Sequence, residues 1–137
     1  MNEFVWPVRV YYEDTDSTGV VYYANYLRYM ERARTEWLRS LGFEQDVLRI
    51  SEGVLFVVRS VVLDYHHPAR FNDLLEVTSR VDKARGASLF FEHTILQTGK
   101  PAGNLCSGRI RVACVDVESF RPRPIPQTIL MEMVGGN

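Results

Sequence analysis

Between Tyr23 and Leu41 apolar side chains recur at Tyr23, Tyr26, Leu27, Met30, Ala33, Trp37, Leu38 and Leu41. This i, i+3, i+4, i+7 spacing lines one face of an amphipathic helix. Arg28, Glu31, Arg32, Glu36 and Arg39 fall largely on the other face with opposite signs three or four residues apart, and Gly42 supplies a left-handed stop. The pattern predicts one long helix over 23–41, about 27 Å long at 1.5 Å per residue. A weaker helical turn is predicted between Glu44 and Glu52. Elsewhere the period is that of strands: Val8 to Glu13, Val54 to Tyr65, Leu75 to Lys83, Ser88 to Gln97 and Leu105 to Asp116. Arg85-Gly86-Ala87 and Gly99-Lys100-Pro101 are short links, so the last three strands are expected as an antiparallel meander.

In the last strand Cys106, Gly108, Ile110, Val112 and Cys114 alternate with Ser107, Arg109 and Arg111, which gives one apolar and one wet face. The long helix is the element available to cover that apolar face. The expected fold class is α+β, a five-stranded antiparallel sheet wrapped around one long helix. Prolines 122, 124 and 126 end the sheet and leave a short C-terminal turn with a frayed Gly135-Gly136-Asn137.

Composition narrows the function classes. At 137 residues, 46% apolar and 24% charged, without repeat or linker, the chain reads as a single domain over 1–137. A net charge of -1 gives no field that would draw it to nucleic acid or to an anionic membrane. Met1 to Pro7 has neither signal-peptide nor transit-peptide character, and no apolar run approaches ~18 residues, so a cytoplasmic protein without a transmembrane segment is expected. Cys106 and Cys114 lie on one strand, roughly 26 Å apart. That is too far for a disulfide, and two buried thiols are expected.

The stretch from Tyr12 to Tyr23 holds three carboxylates, Glu13, Asp14 and Asp16, where a strand gives way to Gly19 and the long helix. A helix N-terminus offers unpaired N–H groups that stabilise negative charge developing on a carbonyl oxygen. A carboxylate a few residues upstream can act on the same carbon, as nucleophile or as base for water. The same residues also suit plain helix capping by Asp14, Asp16, Ser17 or Thr18. A calcium loop is excluded because the twelfth position is Asn25 and a strand precedes the segment.

Arg9-Val10, Thr15-Asp16, Gly19-Val20-Val21, Tyr23 and Tyr26 together resemble the signature of the 4-hydroxybenzoyl-CoA thioesterase family. The resemblance continues through Phe56-Val57-Val58-Arg59, Tyr65-x-x-Pro68-Ala69-Arg70-x-x-Asp73, Arg85-Gly86-x-Ser88 and Pro122-Arg123-x-Ile125-Pro126. It is nearest to the branch associated with the Tol-Pal cell-envelope system. It implies the hot-dog fold, an acyl-CoA substrate, dimers that pair into homotetramers with active sites at the dimer interface, and neither metal nor dissociable cofactor. Asp16 takes the place of the family's catalytic aspartate, and the backbone N–H of Tyr23 that of the carbonyl-polarising group. The related branch has His where this chain has Tyr23, so a side-chain imidazole is not available there.

Coenzyme A carries phosphates, so Arg85, Gly86 and Ser88 in a hairpin turn are candidate substrate-binding residues, with Arg59 beside them; a plain solvated turn is the alternative. Arg70, Arg121 and Arg123 are weaker candidates. His66 and His67 point to opposite faces of a strand and are expected as surface or interface residues, and His93 as a hydrogen-bonded packing residue. Tyr22, Tyr23, Tyr26 and Tyr29 either touch an acyl group or belong to the core. The competing function is a non-catalytic acyl-CoA or acyl-carrier-protein binding module, with acyl carrier protein a candidate partner in either case.

Overall fold

The computed structural model describes residues 2–100 and 103–135. In chain order it contains β1 (Glu3–Arg9), a 3₁₀ turn (Tyr12–Asp14), α1 (Asn25–Ser40), α2 (Gln45–Ser51), β2 (Val54–Tyr65), β3 (Leu74–Arg85), β4 (Ser88–Gln97) and β5 (Asn104–Asp116). A short α3 (Gln127–Leu130) continues into a π-helical turn (Met131–Gly135). The strands form one sheet in the order β1-β3-β4-β5-β2. Every neighbouring pair is antiparallel. β3, β4 and β5 make the expected meander, and Arg85 pairs with Ser88 across a two-residue turn in which Gly86 has φ +59. Pro101 of the second link, and the Gly136-Asn137 end, lie outside the described residues.

α1 buries Tyr26, Tyr29, Met30, Ala33, Trp37 and Leu38, the face that the spacing marks as apolar. Against it lie Leu75, Val77, Leu89, Phe91, Ile95, Cys106, Ile110 and Val112 of the sheet. Gly108 faces the same way, and a Cβ there would meet Met30 Sδ and Leu63 Cδ2 at 2.8 Å. The missing side chain lets Met30 lie directly on the sheet. Cys106 and Cys114 are free and buried, and burial pushes the Cys106 thiol up to about 12.

The departures from the expectation that bear on the site are at β1 and at the start of α1; the other elements shift by one or two residues at their ends. β1 is Glu3–Arg9 instead of Val8 to Glu13, because Phe4, Trp6 and Val8 supply its inward alternation and pair it with β3 from Glu3↔Arg80 to Arg9↔Leu74. Pro7 is tolerated because β1 is an edge strand. Beyond Arg9 the Tyr11 N–H donates to the Asp14 carboxylate at 2.8 Å and the chain turns away from the sheet. α1 begins at Asn25 instead of Tyr23, since the Asn25 N–H closes a turn onto the Tyr22 carbonyl at 2.8 Å.

Arg34 also sits on the buried face of α1, at 8% exposure. Its Nη1 donates to His93 Nε2 at 3.0 Å, and its guanidinium lies 5.6 Å from the centre of the Phe91 ring. On the other side of the ring His93 Nδ1 is 2.9 Å from Ser79 Oγ and 3.3 Å from the Thr78 carbonyl. An arginine can only donate, so Nε2 accepts, Nδ1 carries the proton and the ring is neutral. Burial, then the Arg34 charge, depresses the His93 pKa to about 3. His93 is thus a hydrogen-bonded packing residue.

Candidate active site

The segment joining β1 to α1 folds as a tight double-backed loop. Thr15 bridges Val21, the Asp16 N–H donates to the Val20 carbonyl at 2.9 Å, and the Gly19 N–H donates to the Asp16 carbonyl at 3.0 Å. Gly19 has φ +86, which other L residues rarely adopt, so the reversal needs glycine. A second loop pins the first: Val20 bridges Arg70, and the Val21 N–H donates to the Ala69 carbonyl at 2.8 Å. The Ala69 N–H in turn donates to the Tyr26 hydroxyl at 3.1 Å, which ties both loops to the first turn of α1.

Asp16 sits at the exposed tip of this loop. Its Oδ1 accepts from the Thr18 hydroxyl at 2.5 Å and from the Thr18 N–H at 2.8 Å. These two bonds, the hydroxyl first, hold its pKa below the ordinary carboxylate value. Oδ2 has no hydrogen-bond partner among the described residues. One carboxylate oxygen is therefore fixed and the other is free, on a group that stays ionised at neutral pH.

Tyr23 lies in the turn ahead of α1. Within the described residues its N–H donates to no acceptor, and its carbonyl accepts from the Tyr65 hydroxyl at 2.9 Å. The Tyr22 phenol is pushed above its usual pKa by the Tyr23 phenol and, to a smaller extent, by the Asp16 charge. Beside Tyr23 runs an open groove of about 270 Å3 lined by Val21, Tyr23, Tyr26, Tyr65, His66, His67 and Pro68. Tyr65 packs edge-on against both Tyr23 and Tyr26, with ring centres 6.5 and 5.6 Å apart. Of the tyrosines left between acyl contact and core, Tyr29 is fully buried, while Tyr22 and Tyr23 are exposed.

His66 and His67 lie just past the end of β2 and line this groove, which an expected placement on opposite faces of a strand did not suggest. The available signal was their place inside the Tyr65-x-x-Pro68-Ala69-Arg70 stretch. None of Asp14, Asp16, Ser17 or Thr18 caps α1: the N-cap is Ala24, and no side chain bonds there. Asp14 instead is buried, and its Oδ1 accepts from the side-chain Nδ2 of Asn25 at 2.8 Å.

The candidate substrate-binding residues lie elsewhere. Arg59 falls at the register shift between Val58 and Ser60, so it bulges from the middle of the edge strand β2. Arg85, Gly86 and Ser88 form the β3–β4 turn. The Asp16 loop leaves the sheet where Arg9 pairs with Leu74, at the opposite end of β3, about 36 Å away at 3.3 Å per residue. Ser88 is buried, and its Oγ already accepts from Arg111 Nε at 3.0 Å. One chain therefore joins Asp16 to Tyr23 but not to the Arg85 turn. Among the described residues no cluster of three or more His, Cys, Asp or Glu side chains is arranged for a metal. No helix there is long and apolar enough to cross a membrane.

Comparison with known proteins places this architecture. The family model described as the thioesterase-like superfamily matches residues 10–132. The acyl-CoA thioester hydrolase YbgC of Escherichia coli O6:H1 is 45% identical over 129 residues, 94% of each chain. The acyl-CoA thioesterase YbgC of Haemophilus influenzae is 42% identical over 93% of this chain and 92% of its own. Among solved structures, Slr0204, a 1,4-dihydroxy-2-naphthoyl-CoA thioesterase from Synechocystis, superposes with a TM-score of 0.88 at 25% identity over 96% of both chains. The sheet curved around α1 is the hot-dog fold that these thioesterases share, and the chain belongs to the thioesterase-like superfamily, in the family of the YbgC thioesterases.

Proposed function

We propose that the protein hydrolyses acyl-CoA thioesters carrying a small-to-medium or aromatic acyl group, with Asp16 acting on the thioester carbon and the Tyr23 N–H polarising the carbonyl. The observation that carries this reading is the pairing, on one loop, of a carboxylate with a free oxygen and an unengaged backbone N–H. Val21 and Tyr23 of the same segment line an aromatic groove. As nucleophile, Asp16 adds to the carbonyl carbon, the C–S bond breaks, and coenzyme A leaves as a thiolate; water then cleaves the mixed anhydride to the free acid. As general base, Asp16 takes a proton from a water that attacks the same carbon. In both routes the carbonyl oxygen gains charge in the tetrahedral stage, where a backbone donor contributes most. The donor is a main-chain group, so Tyr in place of the branch's His leaves this role intact.

The distance between Asp16 and the Arg85 turn points to a shared site. β2 is a twelve-residue edge strand with Val58, Val61, Val62 and Tyr65 exposed, a template for pairing with a second copy. Antiparallel pairing about a two-fold axis near Arg59 and Ser60 sets the Tyr65 end of one copy against the Val54 end of the other. The Arg85–Ser88 turn lies two strands in from that edge. A coenzyme A bound at Asp16 of one copy would then reach Arg85, Gly86 and Arg59 near the seam. Assembly into a homotetramer, a cytoplasmic site of action and association with the Tol-Pal system belong to the same reading and rest on the family resemblance of the sequence. Acyl carrier protein is a candidate donor of the same thioester.

The test is thiol release from short, long and aromatic acyl-CoAs by wild type and by Asp16→Asn. Turnover of at least one thioester, reduced by several orders of magnitude in a variant that stays folded, is the expected result. A wild type that binds acyl-CoA without turnover would make the protein a binding module, and an Asp16→Asn variant of full activity would remove Asp16 from the chemistry.

A further inference from the structure

Two aspartates stand two residues apart in the loop, and the structure gives them opposite surroundings: Asp16 is exposed, Asp14 is 7% exposed. Every polar atom that Asp14 offers as an acceptor is used. Its Oδ2 accepts from the Tyr11 N–H at 2.8 Å, its Oδ1 from Asn25 Nδ2 at 2.8 Å, and its backbone carbonyl from the Tyr22 N–H at 2.9 Å. These donors are the residue that enters the loop, the first residue of α1, and the residue just before Tyr23. The Asp16 tip is folded by its own bonds to Thr18, Val20 and Gly19, none of which involves Asp14. What the Asp14 carboxylate adds is the attachment of that tip to the helix.

We infer that Asp14 is a positioning residue: by holding Tyr11, Tyr22 and Asn25 together, it sets where the Asp16 carboxylate stands relative to the Tyr23 N–H. This rests on the functional reading above. Asp16 and the Tyr23 N–H must meet the two ends of one carbonyl group, and a misplacement of about 1 Å costs on the order of a hundredfold in rate. Burial, followed by the Asp14 charge, pushes the pKa of the buried Tyr29 hydroxyl beside the pair well above the usual phenol range. Among the described residues Asp14 forms no salt bridge, and Arg9, Glu13 and Arg32 line the depression beside it. A second carboxylate at position 25 would stand at hydrogen-bond distance from the first.

The test is a charge-exchange cycle at positions 14 and 25. Asn25→Asp sets two carboxylates against each other at hydrogen-bond distance, which is repulsive unless one of them takes a proton. Its kcat is expected to fall about a hundredfold at neutral pH with KM little changed, and to recover as the pH is lowered and the pair takes up a proton. The double variant Asp14→Asn with Asn25→Asp restores one charge and a complete bond, and should return most of the lost kcat. An Asn25→Asp variant that is folded and fully active, or a double variant no better than Asn25→Asp, overturns the inference. So does a loss that appears only as a lower melting temperature with normal kcat.

The same variants are read without substrate by nuclear magnetic resonance, from the Thr18 and Tyr23 amide shifts and the titration of the Asp16 carboxylate. Asn25→Asp should displace all three and the double variant should restore them. If wild type is inert on every thioester but these signals move as described, the functional reading fails and the positioning role stands. If the signals do not move, the positioning role fails whatever the activity.

Discussion

A neutral histidine held against an arginine makes the stability of this fold depend on pH in a calculable way. His93 is 2% exposed, accepts from Arg34 and has a native pKa of about 3. In the unfolded chain it returns to about 6.5. Between those values the unfolded state binds a proton that the native state refuses, so stability rises with pH across the window and is lost as the pH falls through it. The slope reaches about 1.4 kcal/mol per pH unit. From pH 7 to pH 5 this one group withdraws about 2 kcal/mol. His93→Gln isolates the effect, since the amide oxygen can accept from Arg34 and the amide nitrogen can donate to Ser79 or Thr78, but nothing titrates. The assay is urea unfolding at pH 7 and pH 5 at one protein concentration, followed by the fluorescence of buried Trp37. The stability difference between wild type and variant should shift by about 2 kcal/mol in favour of the variant at pH 5. Identical pH dependence in the two proteins would refute the reasoning, because it would mean that His93 carries its proton in the native state or stays neutral in both states.

Two further expectations follow from single contacts. Gly108→Ala places a methyl group at 2.8 Å from Met30 Sδ and Leu63 Cδ2, and should cost about 1–3 kcal/mol by denaturant unfolding. An unchanged midpoint would show that the Met30 end moves aside freely. Thr18→Val removes the hydroxyl bond that is the first cause of the lowered Asp16 pKa. In the proposed mechanism Asp16 acts as the ionised carboxylate, so the acid limb of the kcat/KM profile should move up toward the ordinary carboxylate value, and an unmoved limb would assign that limb to another group.

The fold was legible where one period governs a long stretch. The helix at 3.6 residues and the alternation in β5 are set by burial of one face, and the structure follows both. Legibility failed at β1, where Phe4, Trp6 and Val8 alternate inward but Pro7 interrupts the run and hides an edge strand that proline does not disturb. It also failed at Arg34, which a binary pattern places with the charged residues. Only the sheet opposite, with His93 as acceptor and Phe91 as a π face, makes burial of that guanidinium tolerable.

The candidate site divides in the same way. Asp16, Gly19 and Tyr23 lie within eight residues, so their joint presentation depends on local turns that residue types specify. The groove beside them does not: Tyr65, His66, His67 and Pro68 come from more than forty residues further along, brought in by the Val21–Ala69 and Tyr26–Ala69 bonds. Residue types alone also treat Asp14 and Asp16 as equivalent carboxylates, and only the family resemblance singles out Asp16. Their roles separate only when the loop closes, because closure puts Asp14 over the Asn25 side chain and leaves Asp16 facing outward. The Arg85 turn marks the remaining limit. Its residues suit phosphate, yet along β3 they end about 36 Å from the Asp16 loop, so any joint role needs a second copy of the chain. The exposed valines of β2 are the feature of this fold that would supply that copy.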